Sequence, residues 1–112
     1  MPRLMSVALT EEAVRERRKT VTRRLGWESL RPLDRLILCP KTRGVPKAER
    51  VELAEVVVVD VRQEVLGRIS KEDVVREGFD DMEPWEFVDM FCQAMGCHPR
   101  AKVTRIEWRY LD

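Results

Sequence analysis

The alternation of hydrophobic and polar residues along the chain predicts five β-strands. It is clearest in residues 102–111, where we expect a closing strand with one apolar face and one solvent-exposed face. The apolar face would carry Ile106, Trp108 and Tyr110, and the exposed face Arg105, Glu107 and Arg109. The other strands are predicted at residues 3–9, 20–24, 35–39 and 51–66. Valines occupy both faces of the last of these, which is typical of a central strand or of one that crosses a barrel wall.

Helices are predicted between the strands. The first would begin at Thr10 as its N-cap and end in the basic residues 17–19, where cations suit the negative end of the helix dipole. Ser70 and Asp73 have the spacing of a capping box, and they predict a short helix that continues to Arg76.

A further helix would begin at Pro84, a residue favoured in the first helical position, and would end at Gly96. Its apolar residues recur at helical spacing on one face, which is typical of core packing and not of a cofactor site. These residues are Phe87, Val88, Phe91 and Met95.

Five short strands with two or three short helices between them predict an α+β fold, built as a small mixed β-barrel that is closed or nearly closed. A parallel βαβ sheet is disfavoured because only two connections are long enough for a crossover helix. The chain has 112 residues, 44% of them hydrophobic. This size predicts a single domain, residues 1–112, with one core.

Charge and cysteine usage narrow the functions to be considered. Charged residues make up 37% of the chain, but the formal net charge is only +1. Nucleic-acid binding would therefore need a local basic patch. The three cysteines are an odd number and no secretory leader precedes them, so we expect free thiols and a cytoplasmic location. The longest apolar runs are too short to span a bilayer, and no membrane association is expected.

Residues 17–24 concentrate the candidate chemistry. They combine a lysine and two threonines with four arginines, and arginines serve phosphate or carboxylate binding. Helix-end electrostatics accounts for Arg17 and Arg18. It does not account for the basic character that continues to Arg23 and Arg24 in the next strand.

Lys19, Thr22 and Glu77 are residue types that can cooperate in acyl transfer. A threonine hydroxyl becomes a nucleophile when a base takes its proton, and lysine is such a base when burial beside another cation, such as Arg24, lowers its pKa. A glutamate in a closed pocket can protonate a leaving nitrogen. Thr20, Thr22 and Arg24 share one face of the predicted strand, but spacing alone does not bring Glu77 to that face.

Cys92, Cys97 and His98 resemble a metal cluster only loosely, because Cys92 falls in the apolar helix and no fourth ligand is evident. A buried thiol and an exposed loop thiol are the alternative. The chain has no P-loop and no dinucleotide glycine pattern. We expect neither a metal nor a cofactor.

Two further features have alternative interpretations. The basic loop 41–50, with Lys41 and Arg43, is either a solvated connection or an arm that contacts phosphate. Trp27 and Trp85 are either partly buried in the core or stacked on a nucleobase.

The 17–24 stretch resembles the signature of ASCH domains, roughly glycine-x-lysine-x-x-threonine-x-arginine. Lys19, Thr22 and Arg24 match it, and Arg17 stands in place of the glycine. Residues 77–79 and the helix after them resemble a second conserved block, and residues 103–108 resemble the terminal strand. The resemblance covers about Leu4 to Tyr110, and it implies a PUA-like β-barrel.

What the resemblance implies about function is RNA or nucleoside binding. One bacterial branch hydrolyses the amide of N4-acetylcytidine, and its catalytic residues match Lys19, Thr22 and Glu77. We expect these three groups to meet in one pocket. The residues expected to bind a modified nucleoside or RNA are Arg17, Arg18, Thr20, Arg23, Arg24, Trp27, Lys41 and Arg43.

Three functions remain open at this stage: hydrolysis of N4-acylcytidine, non-catalytic binding of single-stranded RNA, and RNA cleavage. The departures from the ASCH pattern concern the substrate more than the fold. Besides Arg17, Leu33 stands where a Pro-Gly-Asp turn often has its glycine, and the 41–50 loop is not typical of the small amidohydrolase branch.

Overall fold

The computed structural model describes residues 2–111, which form a five-stranded mixed sheet and three α-helices. The strands are β1 (Arg3–Ser6), β2 (Val21–Arg24), β3 (Arg35–Cys39), β4 (Ala54–Val65) and β5 (Lys102–Tyr110). The helices are α1 (Glu11–Arg15), α2 (Lys71–Arg76) and α3 (Pro84–Met95). The predicted α+β class and number of strands are confirmed.

The strand order in the sheet is β1-β3-β4-β5-β2. β1 runs parallel to β3, and the other neighbours are antiparallel. β4 therefore lies at the centre, as its valines on both faces predicted. Of the two predicted forms, a closed or a nearly closed barrel, the structure shows a sheet that is not closed, because within residues 2–111 no backbone hydrogen bond joins the edge strands β1 and β2. A side chain spans this gap instead: Arg24 Nη2 donates to the Ser6 carbonyl at 2.6 Å.

The ends of the helices follow local sequence signals with one exception. The Ser70 hydroxyl accepts a hydrogen bond from the Asp73 amide at 3.1 Å and caps α2, as predicted. Gly96 adopts a left-handed conformation and ends α3. Thr10, the predicted N-cap of α1, makes no capping hydrogen bond through its side chain. α1 is also shorter than predicted, because Arg17 already has a φ of +63°.

Two apolar clusters form the core. One joins the β-strands to α1 and includes Met5, Val14, Leu36, Leu38, Val56, Val58, Ile106 and Trp108. The other lies under α2 and α3 and includes Leu66, Val74, Phe87, Phe91 and Val103. β5 contributes to both clusters, so it packs on both of its faces.

Because β5 packs on both faces, the prediction of a solvent-exposed face for this strand is only partly correct. Arg109 is exposed and Glu107 is half-buried, but Arg105 is only 3% exposed. Arg105 pairs with Arg23 across β2 and β5, and both guanidinium groups contact Asp73 on α2. No helix within residues 2–111 is long and apolar enough to cross a membrane.

Candidate functional site

A cavity of about 230 Å³ lies at the gap between the two edge strands, and we call it the ligand cavity. One wall is formed by residues 6–10, which follow β1, and another by residues 22–24 of β2. Side chains from α3 and Phe79 give it an apolar side. The cavity is lined by Ser6, Val7, Ala8, Leu9, Thr10, Lys19, Thr22, Arg23, Arg24, Glu77, Phe79, Phe87, Met90, Phe91 and Met95. The apolar stripe of α3 thus serves both the core and the cavity.

Lys19 is held in place through its main chain. Its carbonyl accepts hydrogen bonds from Trp108 Nε1 at 3.0 Å and from the Tyr110 hydroxyl at 2.5 Å. Its ammonium is buried and donates to Glu77 twice, to the carbonyl at 2.8 Å and to Oε1 at 2.9 Å. Lys19, four residues beyond the end of α1, thereby turns inward, whereas its neighbour Arg18 stays exposed.

The surroundings of Lys19 lower the pKa of its ammonium. Burial is the largest cause, because it disfavours the charged form, and the nearby cations Arg24 and Arg23 act in the same direction. The Glu77 carboxylate opposes them. The net effect is downward, which is the direction that a lysine needs to act as a base.

Thr22 lies beside Lys19 in the cavity wall and is buried. Its hydroxyl accepts a long hydrogen bond from Arg24 Nε at 3.4 Å, since the two side chains share one face of β2. Within residues 2–111, no direct hydrogen bond joins Lys19 Nζ to the Thr22 hydroxyl. The nucleophile and base proposed from the sequence therefore share a cavity without a direct hydrogen bond between them.

Glu77 caps the end of α2, and Gly78 brings this end onto α1. Gly78 has a φ of +104°, and a Cβ added to it would lie 2.9 Å from the Cβ of Ala13. Only glycine fits both the conformation and the space. The close approach places the Glu77 carboxylate between two cations, Lys19 and Arg23, whose Nη1 lies 3.4 Å from Oε2.

Five charged residues form a connected network that we call the buried ion cluster: Lys19, Arg23, Asp73, Glu77 and Arg105. Each is only 3–6% exposed. Asp73 is at its centre, with Oδ2 accepting from Arg23 Nη2 at 2.6 Å and from Arg105 Nε at 2.8 Å. The cluster fixes Arg23, which in turn contacts Glu77.

The electrostatics of Asp73 follow from these contacts. Burial alone would raise the pKa of its carboxyl group, but hydrogen bonds from Arg105 and Arg23 outweigh burial and hold the pKa well below its usual range. Residue spacing predicts Asp73 only in helix capping, and Arg105 on a solvent-exposed face. The strand register that pairs Arg23 with Arg105 is the signal that would have found both.

Several residues predicted to bind ligand do not line the cavity. Arg18 is exposed and pairs with Glu16 at 2.6 Å and Asp80 at 3.2 Å, so helix-end and surface electrostatics explain it. Thr20 forms main-chain hydrogen bonds with Arg76 and Trp108. Lys41, Arg43 and Trp27 also lie outside the cavity lining, and Trp27 packs against the first core cluster under the guanidinium of Arg3.

Arg17, which stands where the ASCH signature has glycine, also lies outside the cavity lining. Its φ of +63° is the left-handed conformation that glycine adopts without strain. Its Nη1 donates to the Val14 carbonyl at 2.9 Å, and its guanidinium lies 5.0 Å from the ring centre of Tyr110. The backbone thus keeps the shape that the signature glycine would favour, and the side chain packs beside a residue that holds Lys19.

The three cysteines are free thiols, and the sulfur atoms of Cys92 and Cys97 lie 3.9 Å apart. Within residues 2–111, no group of three or more histidine, cysteine or acidic side chains is placed to hold a metal ion.

Comparisons with known proteins rest on structure alone. No protein-family model matches the sequence, and no curated protein matches it. A DUF984 protein from Enterococcus faecalis V583 superposes with a TM-score of 0.70 at 16% identity, over 100% of this chain and 81% of that one. An ASCH domain from Lactobacillus crispatus JV V101 superposes with a TM-score of 0.60 at 11% identity, over 91% and 70% of the two chains. ASCH from Zymomonas mobilis does so with a TM-score of 0.62 at 19% identity, over 95% and 65%.

These similarities show the fold. The chain has the ASCH domain fold, and the resemblance seen in residues 17–24 is confirmed at that level.

Proposed function

We propose that this ASCH-fold chain binds one modified nucleoside in the ligand cavity and hydrolyses the N4-amide of acylated cytidine. The observation that carries the proposal is the buried pair of Lys19 and Glu77, 2.9 Å apart, which lines one cavity together with the Thr22 hydroxyl. A base with a lowered pKa, a hydroxyl and a carboxylate are the groups that amide cleavage requires.

In the first step, neutral Lys19 takes the proton of Thr22 while the Thr22 oxygen attacks the acyl carbon. The proton passes from Lys19 to the Glu77 carboxylate and from there to the N4 nitrogen as the C–N bond breaks. Cytidine leaves, and the acyl group stays on Thr22 as an ester. Water then attacks the ester, its proton returns the Thr22 oxygen to a hydroxyl, and the carboxylic acid leaves.

The size of the cavity favours a small ligand over a nucleic-acid strand. Its volume of about 230 Å³ is below the roughly 300–1,000 Å³ of drug-sized ligand sites, so it suits a single base or nucleoside. The apolar side chains Phe79, Phe87 and Phe91 offer contacts to a flat base and its acyl group. Arg18, Lys41 and Arg43, which a strand would need, do not converge on the cavity.

The test is to incubate the purified protein with N4-acetylcytidine and to follow cytidine release. We expect turnover in the wild type and its loss in Thr22→Ala, Lys19→Met and Glu77→Gln. Thr42→Ala and Lys47→Met are matched controls, because they change the same residue types in the 40–53 loop, outside the cavity.

Circular dichroism and thermal unfolding establish that each inactive variant is folded. No turnover by the wild type, together with salt-dependent binding of single-stranded RNA that weakens in Arg24→Gln, would replace the hydrolase by a binding module. Cleavage of that RNA would instead support a nuclease.

A further inference from the structure

A second cavity of about 340 Å³ lies on the α2 side of the sheet, and we call it the arginine cleft. Five guanidinium groups line it, those of Arg23, Arg62, Arg68, Arg76 and Arg105. They come from four places in the chain: β2, β4 with the turn that follows it, α2, and β5. The acyl-transfer chemistry proposed above uses neither Arg68 nor this space.

The arginine cleft carries more positive than negative charge. Three carboxylates line it, those of Glu64, Glu72 and Asp73, so the lining itself has a formal excess of two positive charges. Outside the lining, Asp60 and Glu107 pair with Arg105 at 3.6 and 3.1 Å, and Asp60 also lies 3.9 Å from Arg62. Within residues 2–111, Arg68 is the lining arginine that has no carboxylate partner. Each carboxylate is already engaged. Glu72 pairs with Arg76 at 2.6 Å, Glu64 with Arg23 at 3.3 Å, and Asp73 with Arg23 and Arg105.

Arginines that line the cleft have N–H donors without an acceptor within residues 2–111, and Arg68 and Arg23 are the clearest cases. Arg68 forms no ion pair or side-chain hydrogen bond there, although it faces the cleft. The Nε–H of Arg23, whose side chain is 1% exposed, has no acceptor. A buried donor without an acceptor is costly, so an acceptor brought by a ligand would stabilise the site.

The frame around Arg68 is rigid. Gly67 donates its amide to the Pro99 carbonyl at 2.8 Å, and the Leu66 amide binds the Ala101 carbonyl at 2.9 Å. A Cβ on Gly67 would lie 3.1 Å from the same Pro99 oxygen, so the two segments approach as closely as glycine permits. The backbone that carries Arg68 is thus fixed before any ligand arrives.

We infer that the arginine cleft is a binding site for one phosphate group. A phosphate carries close to two negative charges and presents oxygens in several directions, which matches arginines that arrive from separate elements. A carboxylate has a single charge and a planar fork. The phosphate can belong to inorganic phosphate, to a nucleotide or to an RNA backbone.

The experiment titrates the protein with sodium phosphate and follows the arginine Nε–Hε signals by NMR at constant ionic strength. Signals of Arg68 and Arg23 should shift in the wild type. Arg68→Gln should weaken phosphate binding about tenfold, the loss expected for one charge-assisted contact. Arg109→Gln is the matched control: it removes the same charge from an exposed residue of β5 that lines neither cavity, and it should leave the affinity within twofold.

Acetate should bind at least tenfold more weakly than phosphate. Absence of phosphate binding by the wild type, equal losses in Arg68→Gln and Arg109→Gln, or equal affinity for acetate would each overturn the inference. Titration with cytidine 5′-monophosphate and with a short single-stranded RNA identifies the source, because the natural form binds more tightly than phosphate and depends on Arg68 in the same way. The outcome does not depend on whether N4-acetylcytidine is hydrolysed.

Discussion

The buried ion cluster and the arginine cleft share Arg23, Asp73 and Arg105, yet their remaining charged residues differ in burial and pairing. In the cluster, five charged side chains that are only 3–6% exposed bind one another through contacts of 2.6–3.4 Å. In the cleft, Arg62, Arg68 and Arg76 are exposed and only partly paired. Charges sealed from water set the geometry of the fold, whereas charges left in water remain available to a partner.

The adjacent α2 residues Glu72 and Asp73 show the difference between an exposed and a buried carboxylate. Asp73 is buried among guanidinium groups, whereas the side chain of Glu72 is 71% exposed and bonds only Arg76 within the described chain. The carboxylate of Asp73 therefore has a structural role, whereas that of Glu72 contributes little to the structure.

Asp73→Asn is expected to have the largest effect, a destabilisation of about 3–5 kcal/mol, because it leaves Arg23 and Arg105 buried without their counter-ion. Glu72→Gln is the matched control and should change stability by no more than about 0.5 kcal/mol. The free energies of unfolding come from urea titrations of both variants. Equal losses would remove the distinction between cluster and surface.

The pH dependence of stability gives a second view of Asp73. Its folded-state pKa lies below the ordinary value of 3.8, so its contribution is present above that value and is lost as pH falls below it. Stability of the wild type should therefore fall in this acid range more steeply than that of Asp73→Asn. If the stability of both proteins fell equally as pH decreased, the lowered pKa could not be assigned to Asp73.

Gly78→Ala should cost at least ~2 kcal/mol, since the substitution combines a strained φ with a contact of 2.9 Å to Ala13. It should also reduce turnover, because the adjacent Glu77 would move away from Lys19. Gly44→Ala has a positive φ but nothing within 4 Å, and it should cost only about 1 kcal/mol. Thermal unfolding compares the two, and an equal cost would show that the contact with α1 is unimportant.

The dependence of kcat/KM on pH tests whether Lys19, a member of the buried ion cluster, acts as the base. Burial lowers the pKa of Lys19, and the neutral amine is the base. The value of kcat/KM should therefore rise with pH and reach a plateau, with an apparent pKa below 10.5, the ordinary lysine value. Each pH unit below the midpoint should cost about tenfold. A rate that falls as pH rises through the neutral range would contradict Lys19 as the base.

Leu33→Gly is expected to have the smallest effect, a gain of about 1 kcal/mol. Leu33 is 81% exposed with a φ of +79° in the Arg31–Asp34 turn, which the Asp34 amide closes by donating to the Arg31 carbonyl at 3.1 Å. The position is outside both the cluster and the cleft, so the change supplies a stabilised background in which Asp73→Asn can be studied. Leu33→Ala, which keeps the strain, should give no such gain.

The sequence predicts the elements of this fold well where local chemistry decides them. The Ser70 cap, Pro84, Gly96 and the valines of β4 each signal a feature that the structure confirms. The sequence did not decide between a closed and a nearly closed barrel, because closure depends on how far β1 and β2 approach each other in space. Arg105 was misplaced for a similar reason, since its burial depends on α2, which covers that face of β5.

The candidate site divides in the same way. Lys19 and Thr22 could be grouped from a short stretch of sequence. Glu77 was a candidate by residue type, but only the resemblance suggested that it meets them. The roles of Asp73, Arg23 and Arg105 depend on strand register and helix docking, which residue spacing does not reveal.

The open edge of the sheet has a consequence for how a ligand reaches the cavity. In a closed barrel, a ligand could enter between two strands only if several inter-strand backbone hydrogen bonds were broken. Here β1 and β2 are linked across the gap only by Arg24 bonding to Ser6 within the described chain. We therefore expect a ligand to enter between β1 and β2 without loss of backbone hydrogen bonds, since only the Arg24 side chain would have to move.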